Sequence, residues 1–196
     1  MTSPDWPPLK IGERELYPRA VVRMLDGELG RSGSLVRPLA ASFIRVTSRA
    51  ILSYRRAGQG MESDDVYARI ESVGDLEDCI ISLHRALEFL DALRARGLTT
   101  ASGARIGLKP QDLSVMTPDS RRRIRVLRDA ISHMDGEIVD GHAPPGVATA
   151  PTVKSGLIAL AGVSISTIEL ARWLDQIAHV AMWLAQEGAD GGAGSV

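Results

Sequence analysis

The stretch DLEDCIISLHRALEFLDALRARG, residues 75–97, decides the fold. Leu76, Ile80, Leu83, Leu87, Leu90 and Leu93 recur at three- and four-residue steps, which aligns them on one face of a helix with 3.6 residues per turn. Asp75 is suited to cap the start of that helix and Gly97 to end it. A stripe of six large aliphatic side chains has to be buried against other elements, and its periodicity is that of a helical bundle.

Working outward toward the N-terminus, a first long helix is expected after Ser34. Pro38 fits a first-turn position, and Leu39, Phe43, Val46 and Ala50 repeat at helical spacing up to Arg56. The segment AGQGMESDD, residues 57–65, reads as a break, followed by a short helix from Val66 to Val73. The first thirty-odd residues are rich in Pro and Gly, and one short helix around Tyr17–Leu25 leaves them as a lightly packed arm.

Toward the C-terminus, residues 98–116 form a long connection in which LKPQDLSVM can add a helical turn. The next helix has a clear start: Thr117 as cap, Pro118 in the first position, and Asp119 at the positive end of the helix dipole. Its core stripe is Ile124, Leu127, Ile131, Met134 and Ile138. After the loop DGHAPPGVATAP, the residues LIALAGVSI read as two short strands turning at Ala161–Gly162. Ser166 and Glu169 form a capping box for the last helix, with Leu170, Leu174, Ile177, Ala181 and Leu184 facing the core and Trp173 and Trp183 on its flanks. The expected fold is therefore all-α, an antiparallel bundle of four helices with a small β-hairpin before the last one. The bundle spans residues 35–188, between an arm at 1–34 and a disordered tail at 189–196.

Composition sets the limits on function. With 196 residues, 44% of them apolar, the chain can bury one core of ordinary size. A net charge of −1 argues against coating nucleic acid or an anionic membrane through bulk charge, so any such contact has to come from a local patch. A single cysteine, Cys79, fits a reducing compartment. The N-terminus MTSPDWPPLK lacks a signal pattern, and no apolar run approaches the roughly 20 residues that cross a bilayer, so a cytoplasmic protein without membrane contact is expected. No Gly-rich phosphate loop, HxxxH, CxxC or Asp-rich calcium pattern is present, and neither a metal nor a cofactor is expected.

Chemistry concentrates in RRRIRVLRDAISHMDGEI, residues 121–138, where Arg128 precedes His133 by five positions. The chain has four histidines, and this one follows a cluster of arginines on a strongly patterned helix. His84 flanks the core stripe of its helix and reads as structural, His179 lies on the polar side of the last helix, and His142 lies in a loop. RDAISH resembles the Arg-x4-His signature of HEPN-type domains, with the motif on a late helix of an all-helical bundle spanning roughly residues 35–188. The resemblance implies a metal-independent endoribonuclease that works as a homodimer, its paired motifs lining one cleft, in toxin–antitoxin or phage-defence systems. Carried onto this chain, Arg128 and His133 take the catalytic positions, and Asp129 takes the polar position after the arginine, where Asn is frequent in the family.

In that role a histidine with an ordinary pKa close to neutral exchanges protons with the ribose 2′-hydroxyl or the leaving oxygen. Arg128 holds the phosphate, and Asp129, four residues before His133, orients the imidazole. Arg121, Arg122 and Arg125 are expected to guide the RNA backbone as a local basic patch. Five residues at about 100° each put Arg128 and His133 about 140° apart around a straight helix, so they converge most simply across a two-fold dimer. The other reading is a catalytically silent HEPN-like module that binds a nucleotide or a protein partner through the same arginines.

Overall fold

The computed structural model describes residues 6–11, 36–96, 116–142 and 148–190. Four helices account for most of them: α1 (Val36–Met61), α2 (Val66–Arg96), α3 (Pro118–Val139) and α4 (Thr167–Asp190). Three short strands, β1 (Thr152–Lys154), β2 (Leu157–Leu160) and β3 (Val163–Ser166), form an antiparallel sheet in sequence order between α3 and α4. The proposed short helix at Tyr17–Leu25, the 98–115 connection and the tail from 191 onward lie outside the described residues.

The α2 stripe is buried along its whole length, from Leu76 to Leu93, with Cys79 and Ala86 filling the gaps between the larger side chains. Burial pushes the Cys79 thiol well above its ordinary pKa, so it stays a protonated apolar group in the core. Its partner is α1, which packs along α2 more extensively than any other pair of elements. The two run antiparallel: Gly60 of α1 approaches Ala68 and Ser72 at one end, and Arg49 pairs with Asp78 at 2.7 Å further along. A Cβ at Gly60 would lie 2.6 Å from the Ala68 carbonyl oxygen, so this position needs glycine for the helices to come so close. α4 lies on α1, and α3 lies on α2.

Three sequence expectations change here. α1 does not end at Arg56 but continues through the glycines to Met61, and the break shrinks to the turn at Glu62–Asp65. Asp75 caps nothing: residues 66–73 are the first turns of one continuous α2, whose N-terminus is capped by Asp65 accepting from the Tyr67 amide at 2.9 Å. A mid-helix glycine such as Gly74 costs about 1 kcal/mol, but Ser72 and Leu76 on either side are buried, and that packing outweighs it. The expected hairpin is the inner part of a three-stranded sheet, because Thr152–Lys154 pairs onto Leu157–Ala159.

Both hairpin turns are two residues long with positive φ, at Ser155–Gly156 (50° and 70°) and at the expected Ala161–Gly162 (51° and 73°). Ile158 faces Ile165 across β2 and β3, and both are buried under the helices. The capping box closes as read: the Ser166 amide donates to Glu169 Oε2 at 2.9 Å, and the Glu169 amide donates to Ser166 Oγ at 3.0 Å. The α4 stripe and Trp173 are buried, so Trp173 belongs to the core and not to its flank.

Residues 6–11 are packed more firmly than a light arm. Trp6 lies against Tyr54 with ring centroids 5.0 Å apart and donates to the Tyr54 carbonyl, while the Tyr54 hydroxyl donates to the Pro7 carbonyl at 2.8 Å. Ile11 is buried, its carbonyl accepts from Arg55, and the Lys10 amide donates to Asp175 at 3.0 Å. No described helix is long and apolar enough to cross a membrane.

Candidate functional site

The helix that carries the motif starts as its sequence requires. Thr117 Oγ1 accepts from the Ser120 amide at 3.1 Å, Pro118 occupies the first position, and Asp119 sits in the first turn. Ile124, Leu127 and Met134 are buried, Ile131 is partly so, and Ile138 has emerged into solvent, so the stripe fades toward the C-terminal end. That rotation fixes where every charged residue points.

Opposite the buried stripe, α3 presents Arg122, Arg125, Asp129 and His133 within an arc of about 80°. Arg122, Arg125 and His133 are exposed and Asp129 is half-buried. No hydrogen bond or ion pair with a described residue involves the His133 imidazole or the Arg125 guanidinium. Gly136 on the same face has no described heavy atom within 4 Å of an added Cβ, so no described residue crowds that position.

Arg128 stands apart from that face, at the edge of the core where α3 meets α2. Its Nη1 lies 2.8 Å from Asp129 Oδ1, and the arginine is the more buried of the two. Within one chain, then, the motif arginine is paired with the carboxylate beside it, and the motif histidine points elsewhere. Asp129 is occupied by Arg128, not by His133.

Most of the arginine run is also tied to carboxylates. Arg121 reaches across to Asp91 of α2 at 2.6 Å, and Arg122 pairs with Asp119 at 3.0 Å. The hydrogen bond from Arg122 first, with the charges of Arg122 and Arg123, holds the Asp119 carboxyl below its ordinary pKa. Of the expected RNA-binding residues, Arg125 alone lacks such a partner among the described residues.

Two residues matter more than their sequence context suggested. Arg123 is a structural hub: it pairs with Asp119 at 3.1 Å and Glu169 at 2.8 Å, donates to the Ser164 carbonyl, and lies 5.7 Å over the Trp173 ring. The hydrogen bond from Arg123 is the main reason the Glu169 carboxyl sits below its ordinary pKa. His84 is the other. It is 6% exposed on α2, with Glu88 Oε1 3.7 Å from its Nδ1. Burial lowers its proton affinity, Glu88 partly restores it, and Arg128 and Arg125 lower it further, with a small opposing effect from Asp129. The i,i+4 spacing of His84 and Glu88 was visible in the sequence, whereas their proximity to α3 required the fold.

Among known proteins, no family model, curated protein or solved structure matches this chain. The site therefore has to be judged on its own geometry. Among the described residues, no group of three or more His, Cys, Asp and Glu side chains is placed to hold a metal ion. What the arrangement offers is proton transfer and phosphate binding: an exposed imidazole, a guanidinium with no ion-pair partner among the described residues, and a second guanidinium at the edge of the same helix.

Proposed function

We propose that this protein is a metal-independent endoribonuclease of HEPN type, acting as a homodimer whose composite site joins Arg128 of one copy to His133 of the other. The observation that carries this reading is the exposed face of α3, where His133 stands with Arg125 and Asp129, open to a substrate or a second chain. His133 exchanges a proton with the ribose or the leaving oxygen, Arg128 stabilises the charge building on the phosphate, and the product carries a 2′,3′-cyclic phosphate. Arg125, Arg122 and Arg121 guide the RNA backbone.

The charge pattern of α3 supports pairing with a second copy. The helix is basic in its first half (Arg121, Arg122, Arg123, Arg125, Arg128), and acidic residues follow near its end (Asp135, Glu137, Asp140). Both halves oppose the helix dipole. An antiparallel second α3 about a two-fold axis sets the outward Arg122 and Arg125 against the acidic end of the other copy and brings each His133 level with the opposing Asp129 and Arg128 along the helix axis. We read the four helices as the antiparallel bundle of this family, in a cytoplasmic toxin or defence component held in check by a partner.

A second reading, a catalytically silent HEPN-like module that binds a nucleotide or a protein, is favoured by the carboxylates on Arg121, Arg122 and Arg128. The experiment that separates the two incubates the full chain with mixed-sequence RNA in chelator and analyses the ends. The ribonuclease reading expects cyclic-phosphate ends from wild type and none from a folded, dimeric His133→Ala variant. No cleavage by wild type, together with harmless overexpression, leaves the binding module.

A further inference from the structure

The histidine that shares a seam with Arg128 inside one chain is His84. One contact sets the alignment of α2 and α3. Arg121, near the start of α3, meets Asp91, near the end of α2, at 2.6 Å. Moving seven residues forward along α3 and seven back along α2, an antiparallel pair brings Arg128 opposite His84. The charges of Arg128, Arg125 and Asp129 all act on the His84 ring, as that alignment requires.

The His84 side chain also has the surroundings of a proton-transfer group. Glu88, one turn along, places a carboxylate oxygen 3.7 Å from Nδ1, on the side of the ring away from Nε2. No hydrogen bond with a described residue involves either ring nitrogen. The His84 side chain is 8% exposed, so the ring keeps a narrow opening to solvent.

We propose that His84, oriented by Glu88, is a second catalytic residue of the site: the base that works with Arg128 of its own chain, while His133 of the other copy supplies the acid. This rests on the ribonuclease reading and adds to it a residue outside the motif. In the reaction, the ribose O2′ attacks phosphorus as its proton passes to His84 Nε2, the P–O5′ bond breaks, and O5′ takes a proton from protonated His133. A strictly in-line displacement needs both transfers, and one histidine per site cannot be base and acid in the same step. Burial and the two arginines keep His84 neutral near pH 7, the form a base requires. The charged groups acting on it are Glu88 from its own helix and Arg125, Arg128 and Asp129 from α3.

The test uses the full-length protein, a mixed-sequence single-stranded RNA in chelator, and the rate of cyclic-phosphate formation as a function of pH. His84→Gln is expected to lower the rate at least about 100-fold while the protein stays folded. Glu88→Gln, at an exposed position, is expected to retain cleavage but move the acidic limb of the pH–rate profile to lower pH, because losing the carboxylate lowers the His84 pKa. If His84→Gln fails to fold, the Glu88→Gln profile decides: a shifted limb supports the assignment and an unshifted one overturns it. Loss of cleavage in His133→Ala alongside full activity in His84→Gln overturns this inference and leaves the ribonuclease reading standing. A wild-type protein that cleaves nothing removes both.

Discussion

Arg123 Nη2 lies 2.8 Å from Glu169 Oε1, a bond that ties the motif helix to the start of α4. Glu169 is at the same time the acidic half of the α4 capping box, so one carboxylate holds the Ser166 amide, the Ser166 hydroxyl and Arg123. Arg123 adds Asp119, the Ser164 carbonyl and the Trp173 face. Removing it leaves Glu169 short of its main partner in a partly buried place. Arg123→Ala is expected to lose about 2 kcal/mol, a drop of roughly 4–8 °C in the melting midpoint. Arg122→Ala, whose ion pair with Asp119 is exposed, is expected to stay within about 0.5 kcal/mol of wild type. Thermal melts of the two variants side by side check the contrast.

Stability should depend on pH through His84. Burial makes the folded protein bind this proton less readily than the unfolded chain does, so the unfolded state takes up more protons as pH falls below the ordinary value of 6.5. Stability is therefore expected to decline from pH 7.5 through 6.5 and below, until the folded-state pKa is passed. His84→Gln flattens that segment in urea titrations at a series of pH values. A separate decline at lower pH belongs to Glu169: its folded pKa is depressed, so its contribution is present above 4.5 and lost as pH falls through the folded value.

Gly58 offers a prediction that changes sign. A Cβ there would run into the Trp6 indole, so Gly58→Ala should dislodge the N-terminal segment and destabilise the protein. In a Trp6→Ala background the obstacle is gone, and the same change should gain up to about 1 kcal/mol, the helix preference of Ala over Gly. A double-mutant cycle by denaturant unfolding measures both.

The core prediction contrasts two aliphatic residues of the helical stripes. Leu90 is fully buried between the helices, and Leu90→Ala is expected to cost about 2–5 kcal/mol. Ile138 has the right phase on α3 but is 46% exposed, and Ile138→Ala should cost well under 1 kcal/mol. Midpoints of urea unfolding are sufficient to separate them.

How far the sequence could be read depended on how local the physics was. The α2 stripe, the Thr117–Pro118–Asp119 start of α3, the Ser166–Glu169 box and the Ala161–Gly162 turn are all fixed by neighbours within one or two turns, and each is found in the structure. The misreadings occurred where tertiary contact overrode local preference. Gly58 and Gly60 lay in the expected break and Gly74 between two expected helices, but burial of Ser72, Leu76 and Ala57 holds the helices through them. Thr152–Lys154 is too short to announce itself and becomes a strand by pairing with β2. At the site, the outward direction of His133 and the edge position of Arg128 followed from helical phase alone. That Arg128 pairs with Asp129, that Arg123 braces α4 and that His84 shares the α2–α3 seam depended on how helices far apart in sequence pack.

The proposed composite site is tested most directly by mixing two variants that the proposal makes inactive. Arg128→Ala and His133→Ala homodimers each lack one member of every site, but a heterodimer of the two contains one intact Arg128–His133 pair. After exchange of subunits at equal concentrations, about half the dimers are mixed and each has one of two sites restored, so cleavage of RNA should recover to about a quarter of the wild-type rate. Mixtures that remain as inactive as the separate variants, although subunit exchange is demonstrated, contradict a site shared between two copies.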